Sequence, residues 1–391
     1  MSDDLLRYRA EFPILETTTY LISNSLGAMP RGVYDAMKGY ADTWATRGVR
    51  AWEERWWMLA AEVGDAIGAL MNAPEGSVST HQNVTTCQAV VASCFDFSGR
   101  RNKVVYSDLN FPSVMYFWEA QRPLGVRVHT VKTDDGISVP TERLLDAIDE
   151  STLLVPISHV IFRSAYINNA SRIIEKAHRV GAHVVLDTFQ SLGTVPIDVQ
   201  ALNVDFACGG VLKWLCGGPG VGYLYVRPDL AKVLRPRFTG WLAHQNPFGF
   251  ETGPIRYSDP PFRFMNGTPH IPSLEAARPG LKIITEVGIQ RIREKSKRQT
   301  ARLIELAHER GWRINTPRDP DKRGGTVSID IPNTEQVCRE LLRREILVDW
   351  RPKAGMRMSP HFYNSDEEID RAIAVVEQIL AEPAESLMPT H

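Results

Sequence analysis

Between residues 101 and 226, short apolar runs alternate with stretches whose apolar positions recur at helical spacing. Residues 101–107 predict a strand entered from a polar turn, and Arg127–Val131 a second. Residues 141–149 predict a helix with Leu144, Leu145 and Ile148 on one face. Thr152–Ser158 is apolar almost throughout, the pattern of a strand covered on both faces. Residues 170–180 return to helical spacing through Ile173, Ile174 and Ala177, and Gly181 supplies a stop. His183–Asp187 is the next buried strand and ends on an acid. Residues 78–80, residues 205–208 and Gly222–Val226 add further short strands. This alternation predicts an α/β domain on a mostly parallel sheet, of the seven-stranded type. Ligands bind such sheets beyond the carboxyl ends of the strands.

After about residue 275 the texture changes. Residues 273–306 are charged and helical in pattern, 325–331 predict a strand, 335–344 a helix and 356–359 a strand. In 365–380, Ile369, Ile373, Val376 and Leu380 fall on one helix face. Three units are expected: an N-terminal segment, 1–45, packing on the small domain; a large α/β domain, 46–274; and a smaller α+β domain, 275–391. Residues 381–391 predict a frayed tail.

Composition narrows the partners. Lys+Arg number 45 against 46 Asp+Glu, a net charge of −1. Without a cationic excess, a general nucleic-acid binder is excluded. No stretch approaches the ~18 apolar residues of a membrane span, and the start has no apolar signal core. The five cysteines form no C-x-x-C pair and the ten histidines have no ligand spacing. A cytoplasmic protein without a structural metal is therefore expected. Composition leaves the partner open beyond that.

The chemistry concentrates in residues 184–226. Asp187 closes a buried strand, and Lys213 follows in the glycine-bounded loop GGVLKWLCGGPG. Alone, a strand-end Asp is an ordinary cap and a loop lysine an ordinary solvated group. Together on an α/β pattern they suit pyridoxal 5′-phosphate. The lysine forms a Schiff base with the aldehyde, and the aspartate keeps the pyridine nitrogen protonated.

With these residues in place, the chain resembles the class V aminotransferase group of fold-type I pyridoxal-phosphate enzymes, and within it the kynureninases. The similarity runs from about residue 20 to 380. It is carried by YLISNSLG at 20–27, Phe111-Pro112-Ser113, Asp187, Val195 to Asp198, Val204 to Phe206, Gly240-Trp241, Phe262 to Asn266, and Arg357 to Pro360. The resemblance implies an enzyme acting on an L-amino acid through a Schiff base and Cα deprotonation, followed by hydrolytic Cβ–Cγ cleavage. It implies that Lys213 and Asp187 are catalytic, that Phe111 stacks on the cofactor, and that Gln190 lies beside it. Val84 and Thr85 would hold the phosphate at a helix N-terminus. Arg357 would fork onto the substrate carboxylate. Trp241, Asn266 and Thr268 would cross a homodimer interface into a shared active site.

Four positions depart from the kynureninase pattern. Gln190 stands where a histidine is usual, Leu212 where a tyrosine precedes the lysine, and Val114 where an aspartate follows Phe-Pro-Ser. The segment at 48–57 offers Trp52, Trp56 and Trp57 but no histidine. These tryptophans read as core or dimer contacts, with a substrate wall as the lesser alternative. A class V aminotransferase, or another lyase or epimerase, uses the same Lys, Asp and Arg. A desulfurase would need a cysteine in the loop before Arg357, and Trp350 to Met356 has none. Cys338, Cys208 and Cys216 read as packing residues. His159, His81 and His244 are weak acid–base candidates. A cofactor-binding protein without turnover is the reading from another class, and retention of Lys213, Asp187 and Arg357 argues against it.

Overall fold

A computed structural model describes residues 3–382. The seven strands of its large sheet are β1 (Val78–His81), β2 (Lys103–Ser107), β3 (Arg127–Val131), β4 (Thr152–Ser158), β5 (His183–Asp187), β6 (Phe206–Gly210) and β7 (Gly222–Val226). Their spatial order is β1-β7-β6-β5-β4-β2-β3. β3, β2, β4, β5 and β6 run parallel, whereas β7 is antiparallel to both β6 and β1. The near-continuous apolar runs have their reason here: all seven residues of β4 and all five of β6 and β7 are buried. Helices cover both faces, giving the mostly parallel seven-stranded α/β architecture.

A second, antiparallel sheet follows, with β8 (Arg313–Ile314), β9 (Val327–Asp330), β10 (Asp349–Arg351) and β11 (Gly355–Met358) in the order β10-β11-β9-β8. Its core joins Leu303, Val327, Met356 and Met358 to Ile369, Ile373 and Val376 of helix Asp366–Ala381. Ser365 starts that helix in a capping box with Glu368. The helical stretch expected over 273–306 is two helices, Ile271–Val287 and Ile289–Glu309, because Gly288 turns left-handed (φ +86°) between them. The boundary expected at residue 274 falls inside the first of these. That helix buries Leu274, Ala277, Leu281 and Ile284 in the core of the large sheet. The N-terminal segment also divides. Thr19–Tyr20 pairs with Ile346–Leu347 of the small domain, whereas helix Gly32–Arg47 lies against Ile271–Val287. The tail expected over 381–391 lies outside the described residues beyond Glu382.

Among the described residues no helix is long and apolar enough to cross a membrane. Nor do three or more His, Cys, Asp or Glu side chains gather there as a metal site.

Candidate active site

The strands that run parallel deliver their carboxyl ends to one cavity of about 230 Å³. β4 contributes Ser158, followed by Val160 and Phe162; β5 contributes Asp187, followed by Phe189 and Gln190. The loop after β6 brings Leu212 and Lys213, and Phe111, Ser113 and Val114 open the helix after β2. Asn83, Val84 and Thr85 close the far side at the start of helix Val84–Ser93. Residues more than a hundred positions apart in sequence thus meet because neighbouring parallel strands end together.

Burial sets the electrostatics. Asp187 is buried, and loss of water pushes its carboxyl up to about 6. Its Oδ1 accepts the Phe189 backbone N–H at 2.9 Å, which works the other way by favouring the charged form. Desolvation pulls the Lys213 ammonium down to about 8, opposed by the charge of Asp187. The Lys213 Nζ lies 4.4 Å from the Phe189 ring centre and 5.6 Å from that of Phe111. An ammonium held between aromatic rings is stabilised by their quadrupoles.

At the opposite end, Asn83 Oδ1 accepts the Thr86 N–H at 3.0 Å and caps its helix. The first-turn N–H groups of Val84 and Thr85 have no acceptor within the helix, the usual condition for holding an anion. A Cβ on Gly222 would come within 2.9 Å of the Asn83 backbone, so the glycine lets this turn sit against β7. A lysine, a strand-end carboxylate, an aromatic wall and a helix N-terminus therefore surround one cavity. The set fits pyridoxal 5′-phosphate.

Arg357 lies on β11 and is buried. Its Nε donates to Asp349 Oδ1 at 2.7 Å, its Nη2 to Asp349 Oδ2, and its Nη1 to the Phe162 carbonyl at 2.8 Å. It is thereby fastened to the cavity wall. Asp349 also receives Arg351 at 3.1 Å, so one carboxylate holds two guanidinium groups and leaves a net positive charge. The sequence reading missed Asp349. Its role comes from register: Asp349 and Arg357 are direct cross-strand partners, a pairing that no apolar pattern in the sequence announces.

The remaining expected residues divide. Gln190 lines the cavity with its amide already engaged, donating to the Asn24 carbonyl and accepting from Trp214 Nε1, each at 3.0 Å. Trp241 and Thr268 are exposed, and Asn266 donates to the Phe238 carbonyl. Within one chain none of these three lines the Lys213 cavity. Trp56 is buried against Trp52 and Tyr40, while Trp57 meets Trp241 and Phe248. All three tryptophans stand apart from the cavity. His159 and His81 are buried and pulled down to about 4, so both are neutral at pH 7. His244 stands 3.9 Å from Glu251. Cys208 and Cys216 are buried with thiols pushed up by desolvation, and Cys338 is buried too.

Gly27 joins the opening segment to the lysine loop. Its N–H donates to the Leu212 carbonyl at 2.8 Å, and a Cβ there would fall 2.1 Å from the Lys213 carbonyl oxygen. Gly27→Ala is expected to displace Lys213 and to destabilise the protein by about 1–3 kcal/mol, the cost of overpacking. Thermal melting and kcat measured together check this; an unchanged kcat would contradict it.

The aminotransferase class-V family model matches residues 19–372. Kynureninase of Bacillus anthracis is 29% identical over 394 residues, covering 97% of this chain and 92% of that one. The uncharacterized aminotransferase YcbU of Bacillus subtilis is 31% identical over 371 residues, covering 94% and 96%. Among solved structures, the apo cysteine desulfurase of Thermococcus onnurineus NA1 shares the fold, with a TM-score of 0.84 at 22% identity over 95% of this chain and 97% of that one. The chain belongs to the class V aminotransferase family, whose cofactor is pyridoxal 5′-phosphate.

Proposed function

We propose that the protein is an enzyme that acts on an L-amino acid and cleaves its Cβ–Cγ bond hydrolytically, in the manner of the kynureninases it resembles. The observation that carries this reading is the cavity itself. Lys213 and Asp187 line it, Arg357 is tied to its wall, and Phe111, Val114, Val160, Phe162 and Leu212 give it an aromatic and aliphatic side beside the polar Asn83, Ser113, Ser158 and Gln190. Such a wall suits an aryl side chain.

Bound here, the cofactor supplies an aldehyde for the substrate amine and a ring that draws electrons from Cα. Lys213 Nζ moves the Cα proton, and its lowered pKa leaves part of it neutral near physiological pH. Asp187 keeps the ring nitrogen protonated, Phe111 stacks on the ring, and Gln190 borders it. Val84 and Thr85 hold the phosphate through the helix N-terminus. Arg357 takes the substrate α-carboxylate. Trp241, Asn266 and Thr268 come from a second copy of the chain, completing a shared site in a homodimer. Helix Gly32–Arg47 supports that pairing: it has no buried residue, and Tyr34 and Trp44 are each 63% exposed.

With L-kynurenine as substrate and no amino acceptor, the purified protein is expected to release anthranilate and alanine. Turnover of amino acids only when pyruvate is added would replace this reading with a class V aminotransferase. Two observations favour that second reading. Gln190 and Leu212 occupy positions where kynureninases carry histidine and tyrosine, and YcbU, named an aminotransferase, matches at 31% identity.

A further inference from the structure

We propose that Arg351 and Arg163 form a second anion subsite at the mouth of the Lys213 cavity, so that the preferred substrate is an L-amino acid whose side chain carries an acidic group of its own. This rests on the amino-acid reading above and adds the chemistry of the side chain. Three guanidinium groups gather where the small domain meets the loop after β4. Arg357 is the buried one, its side chain 3% exposed, whereas Arg351 reaches outward at 45%. Successive side chains of a strand alternate, so Asp349 and Arg351 of β10 share a face. On that face Arg357 is the cross-strand partner of Asp349, and from it Arg357 reaches the Phe162 carbonyl. Arg163 follows Phe162, and its guanidinium lies 5.3 Å from the Phe162 ring centre. That ring lines the cavity and meets Phe111 edge to face at 5.2 Å. The loop is held at two successive carbonyls, Phe162 accepting from Arg357 and Arg163 from Ser328 Oγ of β9.

The charges of this cluster do not balance. Arg357 takes both oxygens of Asp349, which leaves Arg351 one contact to that carboxylate at 3.1 Å and one to its own Trp350 carbonyl at 2.7 Å. A guanidinium has five N–H donors, so Arg351 keeps donors to spare. Arg163 rests half-buried on an apolar ring. Asp330, beyond Gly355 on the same face, is engaged by Asn315 Nδ2 at 2.8 Å and faces Arg313 at 4.0 Å. Lys353, exposed at the tip of the β10–β11 hairpin, adds a further cation. Three guanidinium groups against one carboxylate leave room for two anions. The substrate α-carboxylate at Arg357 is one, and a second acidic group is the other. The subsite is also in electrostatic reach of the chemistry: burial lowers the Lys213 pKa most, and the charges of Arg357 and Arg351 push it the same way. A planar guanidinium at such a rim favours a carboxylate over a neutral group.

The test compares matched amino acids on the holoenzyme. L-Glutamate against L-glutamine, and 4-carboxy-L-phenylalanine against L-phenylalanine, each differ by a side-chain charge. Dissociation constants are read from the change in visible absorbance of the bound cofactor. In the wild type the acidic member of at least one pair should bind about tenfold tighter or more, the order expected for hydrogen bonds to a charged group. Arg351→Gln keeps a donor for Asp349 and removes the charge. It should cost the acidic member about tenfold and bring the ratio of the pair toward one. Arg163→Gln should lower the same ratio, and the double variant should abolish the preference. Arg351→Lys should restore part of it. No preference in the wild type, a ratio that either single substitution leaves unmoved, or equal losses for acidic and neutral members would overturn the proposal. The last of these would make Arg351 a support for Asp349 and Arg357. Failure of every amino acid to perturb the absorbance would instead remove the functional reading on which the proposal rests.

Discussion

Lys213→Ala is expected to reduce turnover by about 10⁴-fold or more, the upper range for loss of a single acid–base group. In the proposed function one nitrogen carries two tasks, covalent attachment and proton transfer. The visible absorbance of a lysine-bound cofactor should vanish in the variant while noncovalent binding persists, because Val84, Thr85, Phe111 and Asp187 are untouched. The fold should survive as well. Removing a desolvated ammonium relieves a burial cost, and the lysine backbone stays fixed through the Leu212–Gly27 and Cys216–Lys213 hydrogen bonds. The same nitrogen predicts a pH dependence. Its folded pKa is about 8, lowered by burial, and only the neutral amine attacks an aldehyde. Capture of free cofactor should therefore accelerate as pH rises through about 8. Stopped-flow absorbance reads both effects, and a surviving lysine-type band in Lys213→Ala would refute the assignment.

That Asp187 and Lys213 share one cavity was legible in sequence because their positions follow from periodicity. Asp187 ends an apolar run and Lys213 follows the next short strand, so a parallel pairing of those strands brings them together. Phe111 came from the Phe-Pro-Ser resemblance, and its helix follows β2, two strands from β5. Asp349 was not, since its role depends on the register of a three-residue strand against Arg357 rather than on any apolar pattern. The reversal of β7 was also hidden. Its residues are buried on both faces exactly as those of its parallel neighbours are, and burial carries no information about direction. Helix Gly32–Arg47 does carry an apolar series at helical spacing, Val33, Met37, Tyr40 and Trp44, which the sequence reading passed over, and none of these four is fully buried in its own chain.

Arg357→Ala carries the second large effect, and Asp349 decides how it must be measured. The guanidinium presents its Nε and Nη2 side to Asp349 and one Nη1 hydrogen to Phe162. Two hydrogens of the Nη1–Nη2 end remain for a substrate carboxylate, in the planar fork that a lysine cannot reproduce. Removing a charge-paired contact of this kind costs about 2–5 kcal/mol, so KM for the amino acid should rise by about 30-fold to a few thousandfold at ~1.4 kcal/mol per decade. The same substitution strands the buried Asp349 carboxylate with only Arg351 for a partner, and breaking a buried pair is destabilising by about 3–5 kcal/mol. A loss of activity could therefore come from the fold alone. Adding Asp349→Asn to Arg357→Ala removes the stranded charge and should recover thermal stability while leaving KM high. Arg357→Lys, which keeps the charge but not the fork, should fall between wild type and alanine. If KM returns to the wild-type value together with stability in the double variant, Arg357 is a structural partner of Asp349 and not the carboxylate receptor.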